Sequence, residues 1–140
     1  MKVEVPVLFK YVEGFNQGAD PVVYTQEEAA AYFKEAGEAA TRPFIYLSAG
    51  VPADVFREEL EFAGQHGANY CGILGGRATW RNGVQVYADG GRAALIDWLD
   101  TQGRENIEEL NEILNKYAKP WYEIYGGLDN IEVFDLDVMD

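Results

Sequence analysis

Three short apolar runs, at residues 3–9, 43–47 and 69–74, are each followed by a loop of small or polar residues. Segments with helical spacing separate and follow them. This alternation constrains the fold more than any other feature of the chain. It predicts the order strand–helix–strand–helix–strand–helix–helix. Strands that alternate with helices imply parallel pairing through right-handed crossovers, hence an α/β fold. Three such strands form either a small open sheet or one part of a closed barrel.

Local signals sharpen the outline. In the first run Lys2 and Glu4 share one face and Val3 and Val5 the other. A polar, glycine-containing loop is expected from Tyr11 to Pro21. Thr25-Gln26-Glu27-Glu28 is a capping-box pattern that opens a helix, and Gly37 is expected to end it. Pro52 suits the first turn of the next helix, whose apolar residues are Val55, Phe56, Leu60 and Ala63 and which stops near Gly67. A third helix is expected over residues 89–101, with Leu95, Ile96, Trp98 and Leu99. A fourth is expected to start at Asn106, with Glu109 completing a cap pattern. Its stripe is Leu110, Ile113, Leu114 and Tyr117, and Pro120 disturbs or ends it. Residues 1–125 form the expected α/β segment and 126–140 an acidic tail. Within the tail, Ile131-Glu132-Val133-Phe134 suits a strand or a loose end equally.

Composition excludes several classes. With 140 residues the chain is one domain or part of one, and 48% hydrophobic content argues against general disorder. A net charge of −13 argues against a nucleic-acid partner or an anionic membrane surface. It leaves phosphate binding open, because one local cluster of arginine and backbone N–H groups suffices. A single cysteine permits no internal disulfide and fits the reducing cytoplasm. No apolar run approaches the roughly 20 residues of a membrane span, and the first residues lack the apolar core of a signal peptide.

The chemistry-bearing candidates sit at strand ends. Gly75, Gly76 and Arg77 follow the third run, where close backbone approach and a planar guanidinium suit phosphate or carboxylate. Ser48 and Gly50 follow the second run, and adjacent parallel strands would bring both loops together. Two ordinary strand-to-helix turns explain the same glycines equally well. Lys2 lies on a strand face that, in a barrel, points inward. There, lost hydration favours a neutral, nucleophilic amine; a solvated chain end is the plainer alternative. Glu4 is read as a charge partner for a buried cation. His66 is expected to cap a helix, Cys71 to be packed, and Trp80, Trp98 and Trp121 to serve core or interface. The pairs Glu27-Glu28 and Glu58-Glu59 look like solvated faces. No metal-ligand spacing appears.

In order along the chain stand Lys2-Val3-Glu4-Val5-Pro6-Val7, Lys10-Tyr11-Val12-Glu13-Gly14-Phe15, Tyr46-Leu47-Ser48-Ala49-Gly50-Val51 and Gly76-Arg77-Ala78-Thr79-Trp80. Together with Val23-Tyr24-Thr25 and Val84-Gln85-Val86-Tyr87, these segments resemble the C-terminal part of the tagatose 1,6-bisphosphate aldolases, over about residues 2 to 115. The resemblance implies strands six to eight of a TIM (β/α)8 barrel and a class I aldolase that uses no metal or other cofactor. It implies that Lys2 is the Schiff-base lysine. Ser48, Gly50, Leu74, Gly76 and Arg77 would hold the phosphate of a phosphorylated ketose. The acid/base carboxylate and the first five strands would lie outside the chain, and the tail departs from the family's ending. Self-association or a complementing N-terminal barrel fragment is therefore expected, with no activity until the barrel is completed. The alternatives are a non-catalytic phosphosugar-binding or structural fragment, and an aldolase for a related ketose phosphate or sulfonated ketose phosphate.

Overall fold

A computed structural model describes residues 1–16, 18 and 20–132. Strand β1 (Lys2–Val3) pairs in parallel with β2 (Ile45–Leu47), which pairs in parallel with β3 (Ile73–Leu74). The strands stand in the sheet in chain order. Helix α1 (Gln26–Ala39) joins β1 to β2, and α2 (Ala53–Gln65) joins β2 to β3. The predicted parallel α/β alternation is present.

Register divides the sheet into two faces. Val3, Tyr46 and Ile73 are partners and share one face; Lys2, Ile45, Leu47 and Leu74 share the other. The first face is covered by helices. Tyr46 is buried, with Phe33 of α1 at 6.2 Å between ring centroids. Phe9, Phe33 and Phe62 meet edge to face around it, at 5.4 to 6.4 Å. The second face is open: Lys2 is exposed and Leu74 is 49% exposed. This asymmetry positions the candidate site.

The first strand is shorter than its alternation predicts. Val5, Val7 and Phe9 remain buried, but pairing stops at Val3 and residues Phe9–Tyr11 form a 3-10 turn. Pro6 carries no N–H to donate to a ladder. The capping box of α1 forms as expected: Glu28 N donates to Thr25 Oγ1 at 3.1 Å, and Thr25 N donates to Glu28 Oε2 at 2.9 Å. Gly37 does not end this helix, which runs on to Ala39. It is instead a contact point, where a Cβ would lie 3.1 Å from Ala68 Cα. Helix α2 starts after Pro52 and is capped by His66, whose Nδ1 donates to Phe62 O at 2.8 Å.

The C-terminal helices differ most from expectation. Helix α3 (Gly76–Trp98) starts directly after β3, and the helix expected over 89–101 matches only its second half. It is broken at Gly91, where φ is +70° and ψ −164°. Its halves fold back on each other, so that a Cβ on Gly83 would lie 2.8 Å from Trp98 Cζ3. A π-helical turn (Leu99–Gly103) leads straight into α4 (Arg104–Tyr117). Asn106 is therefore no N-cap. It is buried inside α4, and its Nδ2 donates to Thr79 O at 3.1 Å. Helix α4 packs on α2 and ends at Tyr117, ahead of Pro120. Short 3-10 turns follow at Trp121–Tyr125 and Leu128–Asn130. Ile131 and Glu132 are in no strand; Val133, Phe134 and the rest of the expected acidic tail lie outside the described residues. No helix among the described residues is long and apolar enough to cross a membrane.

Candidate functional site

The site forms where β2 and β3 end beside the open sheet face. Ser48 leaves β2 buried, its N–H donating to Leu74 O at 3.2 Å and its carbonyl accepting from Val51 N at 2.9 Å. The turn between them holds Ala49 at φ +48° and Gly50 at φ +88°. A left-handed alanine costs about 1–2 kcal/mol, so the turn is held by its surroundings. Gly50 faces Arg77: a Cβ there would lie 3.0 Å from the guanidinium carbon. Arg81 Nη1 donates to Gly50 O at 3.4 Å.

The glycine–arginine segment after β3 is a helix N-terminus rather than a loop. Gly75 is the N-cap, and Gly76 and Arg77 open α3. First-turn N–H groups have no partner four residues back, and the helix dipole adds partial positive charge there. The Thr79 hydroxyl steadies the turn, 2.9 Å from Gly75 O and 2.8 Å from Gly76 O.

Lys2, Ser48, Gly50, Leu74, Gly76 and Arg77 line one concavity of about 330 Å³, completed by Leu47, Ala49 and Trp80. Lys2 is level with Ile45 and two residues short of Leu47, about 7 Å along the strand. Its flexible stem points into the same concavity that Arg77 borders. Among the described residues the only charged lining groups are Lys2 and Arg77, both cationic. A chain of net charge −13 thus carries a local cationic hollow beside a helix N-terminus, a setting that favours an anionic ligand. Trp80 was expected in core or interface, yet it is 48% exposed and borders this hollow. Its spacing of three and four residues from Arg77 and Gly76 places it on their helix face, a signal that needs the true start of α3.

Glu4 does not line this concavity. It borders a neighbouring cavity of about 580 Å³ and makes no ion pair with Lys2 among the described residues. That cavity also holds a correction. Glu59, expected on a solvated face, is only 1% exposed. Burial pushes its carboxyl up to about 7; the Phe9 backbone N–H pulls the other way and the Glu58 charge adds to the rise. Helical spacing carried the signal: Glu59 follows Phe56 by three residues and precedes Ala63 by four, on the buried stripe.

Comparison with known proteins adds a family to this geometry. The DeoC/LacD family aldolase profile matches residues 1–82. A tagatose 1,6-diphosphate aldolase of Listeria monocytogenes serotype 4a is 49% identical over 135 residues, which cover 96% of this chain and 39% of that protein. One of Streptococcus pneumoniae is 55% identical over 123 residues, covering 88% of this chain and 37% of that protein. One of Streptococcus mutans is 51% identical over the same length. The chain spans about two fifths of the length of these curated relatives. With the profile matched over more than half its length, the chain belongs to the DeoC/LacD aldolase family.

Proposed function

We propose that this chain supplies the Schiff-base lysine and one phosphate grip of an aldolase acting on tagatose 1,6-bisphosphate. The observation that carries this is the shared cationic hollow, lined by Lys2 from the start of β1 and by Ser48 and Arg77 from beyond the ends of β2 and β3. Three parallel strands in chain order, with helices on one face, suit strands six to eight of a β/α barrel, and the open face suits its interior. The remaining strands, or a second copy, would cover that face.

In this mechanism the Lys2 amine attacks the ketose C2 carbonyl and loses water to form an iminium. A base takes the C4 hydroxyl proton, the C3–C4 electron pair moves toward the iminium nitrogen, and glyceraldehyde 3-phosphate leaves. The enamine takes a proton at C3, and water releases dihydroxyacetone phosphate and the free amine. Arg77, the Ser48 hydroxyl and the first-turn N–H groups of α3 hold a phosphate, so its binding energy positions the reacting carbons. A related ketose phosphate or sulfonated ketose phosphate would meet the same groups.

Among the described residues no carboxylate lines the hollow. In this reading the rest of the barrel supplies the base for the C4 hydroxyl. This same observation favours a second reading for the chain by itself, in which it binds a phosphosugar without cleaving it. The test is to mix the chain with a polypeptide carrying the first three fifths of the Streptococcus pneumoniae relative. Release of glyceraldehyde 3-phosphate from tagatose 1,6-bisphosphate is then followed by a coupled assay. Cleavage by the mixture that disappears with Lys2→Arg supports the aldolase. Assembly of the two pieces without cleavage, with phosphate still bound at Arg77, supports the binding element instead.

A further inference from the structure

Trp80 stands at the edge of two concavities. It lines the Lys2 hollow with Ser48, Gly76 and Arg77, and it lines an apolar groove with Val84, Leu95 and Leu99. The two ends of the ring meet different surroundings. A Cβ on Gly76 would lie 3.7 Å from Trp80 Nε1, so the nitrogen edge of the indole is the part beside the first residue of α3. An indole between a polar and an apolar space takes this orientation, with its N–H toward the polar side.

The sequence explains the placement. Helical side chains lean toward the N-terminus of their helix. Trp80, four residues after Gly76, therefore leans back over the first turn, and glycine at position 76 leaves that space open. An indole N–H is a donor with no acceptor capacity. Among the described residues, the side-chain hydrogen bonds around the hollow come from Thr79 and Arg81 and none from the indole, and no carboxylate lines the hollow. The acceptor for this N–H therefore comes with solvent or with a ligand. Trp80 is half-exposed, so a ligand in the hollow reaches it.

We propose that Trp80 is a further binding residue of this site, whose indole N–H donates to a phosphate oxygen of the ligand gripped at the start of α3. This role rests on the reading of the Lys2 hollow as a phosphate site. Arg77 supplies charge there, and the first-turn N–H groups supply fixed dipoles. Trp80 adds a neutral donor on a ring whose other end lies along the apolar groove. All three kinds of donor belong to the first two turns of α3, so one helix assembles the grip.

The test is a titration of the full chain with inorganic phosphate at constant ionic strength, read by calorimetry and by NMR of the three indole N–H groups. In the wild type the Trp80 indole proton is expected to move downfield along the same saturation curve as the heat, while those of Trp98 and Trp121 stay in place. Trp80→Phe keeps the apolar body and removes the donor. It is expected to weaken phosphate about tenfold, as the loss of a hydrogen bond to a charged group does, with an unchanged unfolding midpoint in urea. Arg77→Ala is the control for the site itself. Phosphate binding that depends on Arg77 while the Trp80 signal stays in place, or while Trp80→Phe binds as tightly as wild type, overturns this role and leaves the phosphate grip standing. No phosphate binding, or binding indifferent to Arg77, overturns the grip and this role with it. The wild-type spectrum decides the matter even where the variant fails to fold.

Discussion

Replacing Glu59 with glutamine should change how stability depends on pH. In the folded chain this carboxyl is pushed from 4.5 to about 7, mainly by burial. Below about pH 4.5 it is protonated in both folded and unfolded states, and its burial costs no charge. Between the two values the unfolded chain ionises while the folded chain keeps its proton. The folded state then binds more protons, so stability falls as pH rises. Above about 7 the full cost persists, about 3 kcal/mol at 1.36 kcal/mol per pH unit. Glutamine keeps the shape and removes the charge. The unfolding free energy of Glu59→Gln minus that of wild type should therefore grow by about 2–3 kcal/mol between pH 5 and pH 8. Urea unfolding followed by the fluorescence of the three tryptophans reads this at each pH. Taking the difference cancels the other titrating carboxylates. A gap that stays constant across this range, or shrinks as pH rises, would refute the assignment of Glu59 as a carboxyl buried without compensation.

Three further substitutions probe the framework. Gly50→Ala places a Cβ 3.0 Å from the Arg77 guanidinium on a backbone at φ +88°. It should cost about 1–2 kcal/mol and weaken inorganic phosphate binding measured by calorimetry. Gly64→Ala drives a Cβ into the Tyr117 ring. Pushing α2 from α4 should destabilise by about 1–3 kcal/mol despite alanine's better helix propensity, and denaturant unfolding measures the loss. Thr25→Ala removes the capping box of α1 and should cost about 1 kcal/mol, read as a lowered unfolding midpoint.

The N-terminal half was legible because its signals are local. The reciprocal hydrogen bonds of Thr25 and Glu28 form from residues three apart, and Pro52 marks the start of α2. The strands at 45–47 and 73–74 fall within their apolar runs. In the C-terminal half the last helix was legible from its stripe of Leu110, Ile113, Leu114 and Tyr117, whereas the start of α3 was not, because its glycines serve tertiary contacts. Gly76 and Gly83 argue against a helix by propensity, yet both lie in α3, where Gly83 makes room for Trp98. Asn106 carries a capping side chain but spends it on Thr79 O, because a π turn runs the preceding helix into its own. Glu59 was hidden by its neighbour. Two adjacent acids suggest a solvated face, although 100° separates them and only one lies on the buried stripe. The candidate Lys2 hollow was legible as a set of strand-end residues. That Trp80 borders it, and that Glu4 does not, required the fold.

The proposed function requires that Lys2 and Arg77 serve one ligand. Incubating the chain with dihydroxyacetone phosphate, reducing with borohydride and mapping the adduct by peptide mass spectrometry tests it most directly. A reduced adduct on Lys2 is expected, and less of it at limiting ligand in Arg77→Ala. Adduct spread over Lys10, Lys34, Lys116 and Lys119, or unchanged by the loss of Arg77, would contradict it.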